Sequence, residues 1–257
     1  MKSNDQNDSS PAPAPSHEER DFLAQYDASG FPHPSVTVDV ALVTAHEGVL
    51  KALLVKRVEP PHKDAWGLVG GFVGMEESLD EAAARVLEEK AGLKDVFLEQ
   101  LYTFGAPGRD PRTRVISISY FALVDAKRLS EVGNGARTLA QLSVAWPAET
   151  GGPVVALGQD ESPLPLAFDH AEILGALVLR LRGKLDYAPI GFELLPESFT
   201  LRALQDIHQT IKGETLNKDS FRRRMLASGM IEATGGREES VGHRPAKLYR
   251  FARGNTN

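Results

Sequence analysis

The chain has 257 residues, 42% hydrophobic and 25% charged, with no cysteine and a formal net charge of −6, an ordinary soluble-protein profile with room for one large domain or two smaller ones. The lack of cysteine excludes disulfides, thiolate nucleophiles and cysteine zinc sites. No apolar run approaches the roughly 18 residues of a membrane span and no basic segment leads into an apolar core as in a signal peptide, so the expected location is the cytoplasm, away from membranes.

Residues 1–17, with their SSPAPAPS run, bury too little apolar surface to offset ordering and read as a disordered tail. A short amphipathic helix is expected over Glu18–Tyr26. Val36–Thr44 is rich in β-branched residues and reads as a strand, with Leu50–Arg57 as its hairpin partner. Glu76–Lys90 reads as a helix stopped by Gly92. Val96–Thr103 and Val115–Val124 are further strands, separated by the loop GAPGRDPRTR. Residues 133–165 read as mostly loop, with one short strand near Val154–Leu157. A helix with leucines at helical spacing follows over His170–Arg182, with Asp169 as its expected cap, and Gly183–Ser198 reads as a connection.

The pattern then changes. Thr200–Ile211 and Lys218–Ser228 read as two helices, the second capped by Asn217. Met230–Thr234 and Lys247–Phe251 read as short strands joined by a charged, Gly-rich segment. Helix, turn, helix and a two-stranded wing make a compact module. From Ser198 onward there are 11 Lys and Arg against 6 Asp and Glu, whereas the remainder carries 18 against 29. An acidic body with a basic end suits a chain in which one part meets nucleic acid.

Gly71–Leu93, GFVGMEESLDEAAARVLEEKAGL, resembles the Nudix signature. Gly71, Glu77, Arg85, Leu87, Glu89, Gly92 and Leu93 stand at its spacings, and Trp66–Gly71 (WGLVGG) resembles its lead-in. An amphipathic helix after a Gly-rich turn is the plainer reading. Two positions depart from the signature: Val86 and Lys90 replace glutamates. Residues 86, 89 and 90 share one helix face, where three carboxylates can hold Mg²⁺ or Mn²⁺ against a diphosphate. One carboxylate, Glu89, remains. With an added cation, metal binding and diphosphate hydrolysis are expected to be weak or absent, with no catalytic residue and no metal site.

The segment Thr103–Arg114 carries Arg109, Arg112 and Arg114. The guanidinium fork suits phosphate recognition, and ADP-ribose is a common ligand of Nudix proteins. The candidate ADP-ribose residues are Arg57, Trp66, Gly70, Gly71, Arg85, Glu89, Phe104, Arg109 and Arg112. Several have a second reading: a salt bridge to Glu77 for Arg85, and core packing for Trp66 and Phe104. Asp169 and His170 read as a cap and its neighbour, or as ligand contacts.

In the Lys218–Ser228 helix, Phe221 and Met225 form the expected buried side, with Leu226 at its edge. Ser220, Arg223 and Arg224 face outward, and Arg222 falls nearer the core side. Arginines on such a helix can enter a major groove, and wing residues can reach phosphate or the minor groove. The candidate DNA-binding residues are Asn217, Lys218, Ser220, Arg222, Arg223, Arg224, Arg244 and Lys247, with Arg237 and His243 as further wing residues. A winged helix that docks another protein is the competing reading.

Over most of its length the chain resembles the NrtR family of Nudix-related regulators of NAD metabolism. PSVTVDV, the altered signature, FGAPGRDPR, AFDHAEIL, FTLRALQ and SFRRRML…GHRPAKLYRF carry the resemblance. It implies an α/β (α+β) fold: a mixed Nudix-type sheet sandwiched by helices over 18–190, then a winged helix over 191–257. It also implies a homodimer on palindromic double-stranded DNA, a repressor role over NAD synthesis or salvage genes, and ADP-ribose or a related nucleotide sugar as effector, with no cofactor required. The alternative is an active ADP-ribose diphosphatase with an accessory winged helix.

Overall fold

The computed structural model describes residues 14, 16–130, 136–185, 188–239 and 245–252, in two units that divide between His33 and Pro34. In the first unit, α1 (His17–Gln25) starts on a capping box: Ser16 Oγ accepts from the Glu19 amide at 3.2 Å, and the Glu19 carboxylate accepts from the Ser16 amide at 2.7 Å. Ser16 and His17, read from sequence as tail, are therefore ordered by a helix start. Apart from Ala14, the rest of that tail lies outside the described residues.

The second unit is built around β1 (Ser35–His46). Glu47 and Gly48, both at positive φ (53° and 77°), turn it into β2 (Val49–Lys56), as two-residue hairpin loops require. After β3 (Trp66–Gly67) and β4 (Val69–Phe72) come α2 (Leu79–Ala91), β5 (Phe97–Phe104), β6 (Val115–Leu123), α3 (Ala126–Ser130), β7 (Arg137–Ser143), β8 (Val155–Leu157) and α4 (His170–Lys184). The strands order as β5-β6-β1-β2-β7-β8, with β3 beside β2 and β4 beside β1. β1 runs parallel to β6 and antiparallel to β2 and β4, so the sheet is mixed.

Alternation along β1 serves two cores. Val38, Val40 and Leu42 pack with Ala82, Ala83, Val86 and Leu87 of α2. Ala41, Val43 and Ala45 pack with Ile173, Leu174, Leu177 and Leu181 of α4. The result is the helix-covered mixed sheet expected from sequence.

Two local readings are corrected, and one stretch gains elements it had not been given. α2 begins at Leu79 rather than Glu76, because Ser78 and Glu81 form a capping box there. β7 occupies a stretch read as loop. Leu139 packs toward α2 while Ala140 and Leu142 pack toward α4, so a strand covered on both faces shows no polar–apolar alternation. The Gly-rich WGLVGGF segment, assigned no element from sequence, forms two strands. A Cβ on Gly70 would lie 2.2 Å from Asp39 Oδ1, so only glycine lets β4 lie this close to β1.

A 3-10 segment (Pro189–Leu194) leads to β9 (Phe199–Thr200), α5 (Leu201–Lys212), α6 (Lys218–Ala227), β10 (Ile231–Arg237) and β11 (Lys247–Phe251). The last three-stranded sheet orders β10-β11-β9. Thr200 Oγ1 caps α5 by accepting from the Ala203 amide, and Asn217 Oδ1 caps α6 by accepting from the Ser220 amide, each at 3.0 Å. α5 has two buried faces. Leu201 and Leu204 join Phe192, Phe199, Phe221, Met225 and Tyr249 in the winged-helix core. Ile207 and Ile211 instead join the α4 side of the large sheet. α5 thus contributes to both the winged-helix core and the core on the α4 side of the sheet.

Candidate functional site

Asp39 is the one acid in the β1 strand, 8% exposed and aimed at the α4 side of the sheet. A buried carboxylate needs partners, and it has several. Ser117 Oγ donates to Asp39 Oδ2 at 2.5 Å. The Arg109 guanidinium lies 3.4 Å from the same oxygen and makes a bidentate pair with Asp169 at 2.8 and 2.6 Å. Burial opposes the Arg109 charge, but Asp169 and Asp39 outweigh it and hold the pKa above its ordinary value.

This network also places the start of α4. Asp169 precedes the helix but makes no side-chain cap bond; the expected cap is corrected, because Arg109 takes both of its carboxylate oxygens. The backbone amide of Leu68 donates to His170 Nδ1 at 3.0 Å. That fixes the proton of the neutral imidazole on Nε2, 3.8 Å from Asp39. Burial, opposed by Asp39 and Asp169, pulls the His170 pKa below its ordinary 6.5. Phe168 adopts a left-handed backbone (φ 52°), uncommon for a bulky residue. The Arg57 guanidinium sits 4.8 Å from its ring centroid, and His62 meets the ring edge-on.

Asp39, Arg57, Leu68, Arg109, Phe168 and His170 border a cavity of about 580 Å³, of a size that holds a small organic ligand. Gly67, Gly70 and Gly71 also line it, as do half-exposed Phe72 and the cations Lys56, Arg57, Lys90, Arg109, Arg112 and Arg137. Four acids, Asp39, Glu59, Glu89 and Asp110, face them. Arg112 is tied to Asp110 by bonds of 3.0 and 2.7 Å, which raise the Arg112 pKa and lower that of Asp110.

Of the residues expected to bind ligand, Arg57, Gly70, Gly71, Glu89, Arg109 and Arg112 meet at this cavity. Trp66, Arg85 and Phe104 do not line it. Trp66 and Phe104 pack on the α4-side core. Arg85 holds Glu77 at 2.8 and 2.6 Å and also contacts Glu89 and the Phe72 carbonyl. That bridge pulls the Glu77 pKa down to about 2. Sequence reasoning missed Asp39, Lys56, Phe168 and Arg137. A single acid inside a β-branched strand was the available signal for Asp39, since a buried charge must be paired.

Of positions 86, 89 and 90 of the signature, only Glu89 carries a carboxylate. Val86 is 1% exposed and packs on Gly71, where a Cβ would lie 3.0 Å from Val86 Cγ2. Lys90 Nζ donates to the Gly70 carbonyl. Glu89 lies within reach of Arg85, and Glu88 pairs with Lys94 at 2.6 Å. Among the described residues no three His, Asp or Glu side chains converge as metal ligands.

On α6, Phe221 and Met225 are buried while Lys218, Ser220, Arg222, Arg223, Arg224 and Leu226 are exposed. Arg222 therefore faces solvent rather than the core side. Lys247 is exposed at the start of β11, and Arg237 lies opposite it. Arg244 and His243 lie outside the described residues.

The NUDIX domain model matches residues 33–144, and that of the NrtR DNA-binding winged helix domain matches residues 191–251. The ADPR responsive transcriptional repressor NtrR of Acinetobacter baylyi is 39% identical over 236 residues, 91% of this chain and 88% of that protein. The chain belongs to the NrtR family. Shewanella oneidensis NrtR, in a crystal structure with a 27mer DNA, superposes on this NrtR-family chain with a TM-score of 0.69 at 31% identity, covering 84% of this chain and 93% of that one. An ADP-ribose pyrophosphatase of Methanocaldococcus jannaschii is 40% identical over 88 residues, only 34% of this chain and 50% of its own length. Among the described residues no helix is long and apolar enough to cross a membrane.

Proposed function

We propose that this NrtR-family chain is a DNA-binding transcriptional repressor that is released from its operator when ADP-ribose, or a close nucleotide-sugar relative, fills the cavity beside Asp39 and Phe168. One observation carries the reading: a cation-rich cavity without converging metal ligands shares a compact unit with a winged helix whose arginines face solvent. The A. baylyi relative, an ADPR responsive repressor over nearly the same length, supports it. Phe72 and Phe168 offer aromatic faces for a base or ribose, and the cavity cations suit the diphosphate.

The DNA surface comprises Asn217, the cap of α6, and Lys218, Ser220, Arg222, Arg223 and Arg224 on it, with Lys247 of β11; Arg244, outside the described residues, is assigned to it from sequence. A homodimer places two such helices on a palindrome, upstream of NAD synthesis or salvage genes, in the cytoplasm. The division is residues 18–190 for effector and 191–257 for DNA.

Turnover of the ligand is not part of this function. The partial match to an ADP-ribose pyrophosphatase favours the opposite reading. That reading needs Glu77, Glu88 and Glu89 to hold the ion, yet Glu77 and Glu89 contact Arg85 and Glu88 contacts Lys94. The test is a gel shift of the full chain on a duplex carrying the palindrome upstream of its own gene. Retardation reversed by ADP-ribose supports the proposal. No retardation at low salt, or retardation indifferent to nucleotide sugars, contradicts it.

A further inference from the structure

The six cations of the cavity are not equivalent. Arg109 lies between Asp39 and Asp169, and Arg112 is closed on Asp110. Their charges are compensated before any ligand arrives. Arg57 donates to the carbonyls of Pro61 and Glu59 and stacks on Phe168. That leaves Lys56, Lys90 and Arg137.

Lys56 is the last residue of β2 and Arg137 the first of β7. Their strands are paired there: Val55 is opposite Arg137, and the Lys56 amide donates to the Ala136 carbonyl at 2.9 Å. Among the described residues neither cation has a carboxylate within 4 Å, and Lys90 bonds only a carbonyl. Both line the same cavity as Lys90, and an anion held there would compensate three charges that no described carboxylate meets.

We propose that Lys56 and Arg137 from the sheet, with Lys90 from α2, hold the ligand's diphosphate directly, with no divalent ion between. The lysine at position 90 supplies positive charge where the Nudix signature places a metal-holding carboxylate. This rests on the ADP-ribose reading for the identity of the ligand, but not for its diphosphate.

The test is titration calorimetry on the full chain in EDTA, with ADP-ribose and inorganic pyrophosphate as probes. The wild type is compared with Lys56→Ala/Arg137→Ala and with Lys90→Gln. Wild-type binding of both probes, weakened about ten- to hundred-fold in each variant by loss of charge-assisted bonds, is the expected result. Retention of DNA binding by the variants shows that they are folded. Variants that bind as tightly as the wild type overturn the proposal and leave the ADP-ribose reading intact, as does wild-type binding that appears only after Mg²⁺ is added. Wild-type binding of pyrophosphate but not ADP-ribose, lost in the variants, supports the cation site and removes the ADP-ribose reading. Binding of neither probe, with or without Mg²⁺, overturns both.

Discussion

Arg182 Nε donates to the carbonyl of Ile211 at 3.1 Å, so the last turn of α4 caps the last turn of α5. The same guanidinium bonds the carbonyls of Ala148 (2.6 Å) and Trp146 and lies 4.7 Å from the Trp146 ring centroid. At its other end α4 begins in the Arg109–Asp169 and His170–Leu68 contacts of the cavity. One helix of 15 residues, about 22 Å long, therefore joins the cavity to the winged helix. An effector changes DNA affinity only if it binds one arrangement of that joint better than another.

Replacing Arg182 tests the joint. Arg182→Ala is expected to cost about 2 kcal/mol, the scale of hydrogen bonds from a charged donor, and to lower Tm by about 5 °C. ADP-ribose affinity stays near wild type, but its effect on DNA binding shrinks. Calorimetry with ADP-ribose and anisotropy of a labelled duplex, on the same preparation, check both halves. Full ligand response in the variant would show that the signal travels elsewhere.

Restoring the Nudix glutamates does not simply restore an enzyme. Val86 is buried against Gly71 and the α2-side core, and a charge there is uncompensated. Val86→Glu is expected to destabilise by more than about 2 kcal/mol, measured by urea unfolding, without Mg²⁺-dependent phosphate release. A stable Val86→Glu protein that hydrolyses ADP-ribose would contradict this.

Arg223→Ala/Arg224→Ala removes two exposed charges of α6; the Arg224 guanidinium, 5.6 Å from the Phe221 ring centroid, is lost with them, while Phe221 and Met225 keep their core positions. DNA affinity should fall, and the slope of log affinity against log salt should become shallower by about two if both meet phosphate. Anisotropy titrations across a salt series read the slope. Unchanged DNA binding would favour a protein partner for the winged helix.

The architecture was legible where each element announces itself locally. Asn217 at a helix start, Gly92 at a helix end, and the switch from β-branched runs to helical leucines are near-neighbour signals; sequence reasoning missed the capping boxes at Ser16 and Ser78. The split of α6 into buried Phe221 and Met225 and exposed Arg223 and Arg224 follows from 100° per residue. β7 was not legible, because a strand covered on both faces lacks alternation. The cavity was half legible: Arg57, Arg109 and Arg112 suggest phosphate by type alone. Which of them is already neutralised depends on Asp39, Asp110 and Asp169, and pairs such as Arg109–Asp169, 60 residues apart, leave no local trace. Lys56 and Arg137 become neighbours only through the β2–β7 pairing.

His170 gives the fold a pH dependence with a definite sign. Burial lowers its pKa below 6.5, so below about pH 6.5 the unfolded chain takes up a proton that the folded one resists. Its contribution is absent at higher pH, and stability falls as the pH drops, by up to about 1.4 kcal/mol per pH unit. Between pH 7.5 and 5.5 the wild type should lose more stability than His170→Gln, whose amide oxygen still accepts from Leu68. Parallel urea-unfolding curves for the two proteins would rule this out.

The central claim is that the chain reads ADP-ribose and lets go of DNA without consuming the ligand. Anisotropy of a labelled operator duplex, followed in Mg²⁺ as ADP-ribose is added, with chromatography of the nucleotides from the same tube, measures both at once. The account predicts that anisotropy falls to the value of free DNA while the ADP-ribose is recovered intact. Multiple turnovers to AMP and ribose 5-phosphate, or a duplex that stays bound at saturating ADP-ribose, would contradict it.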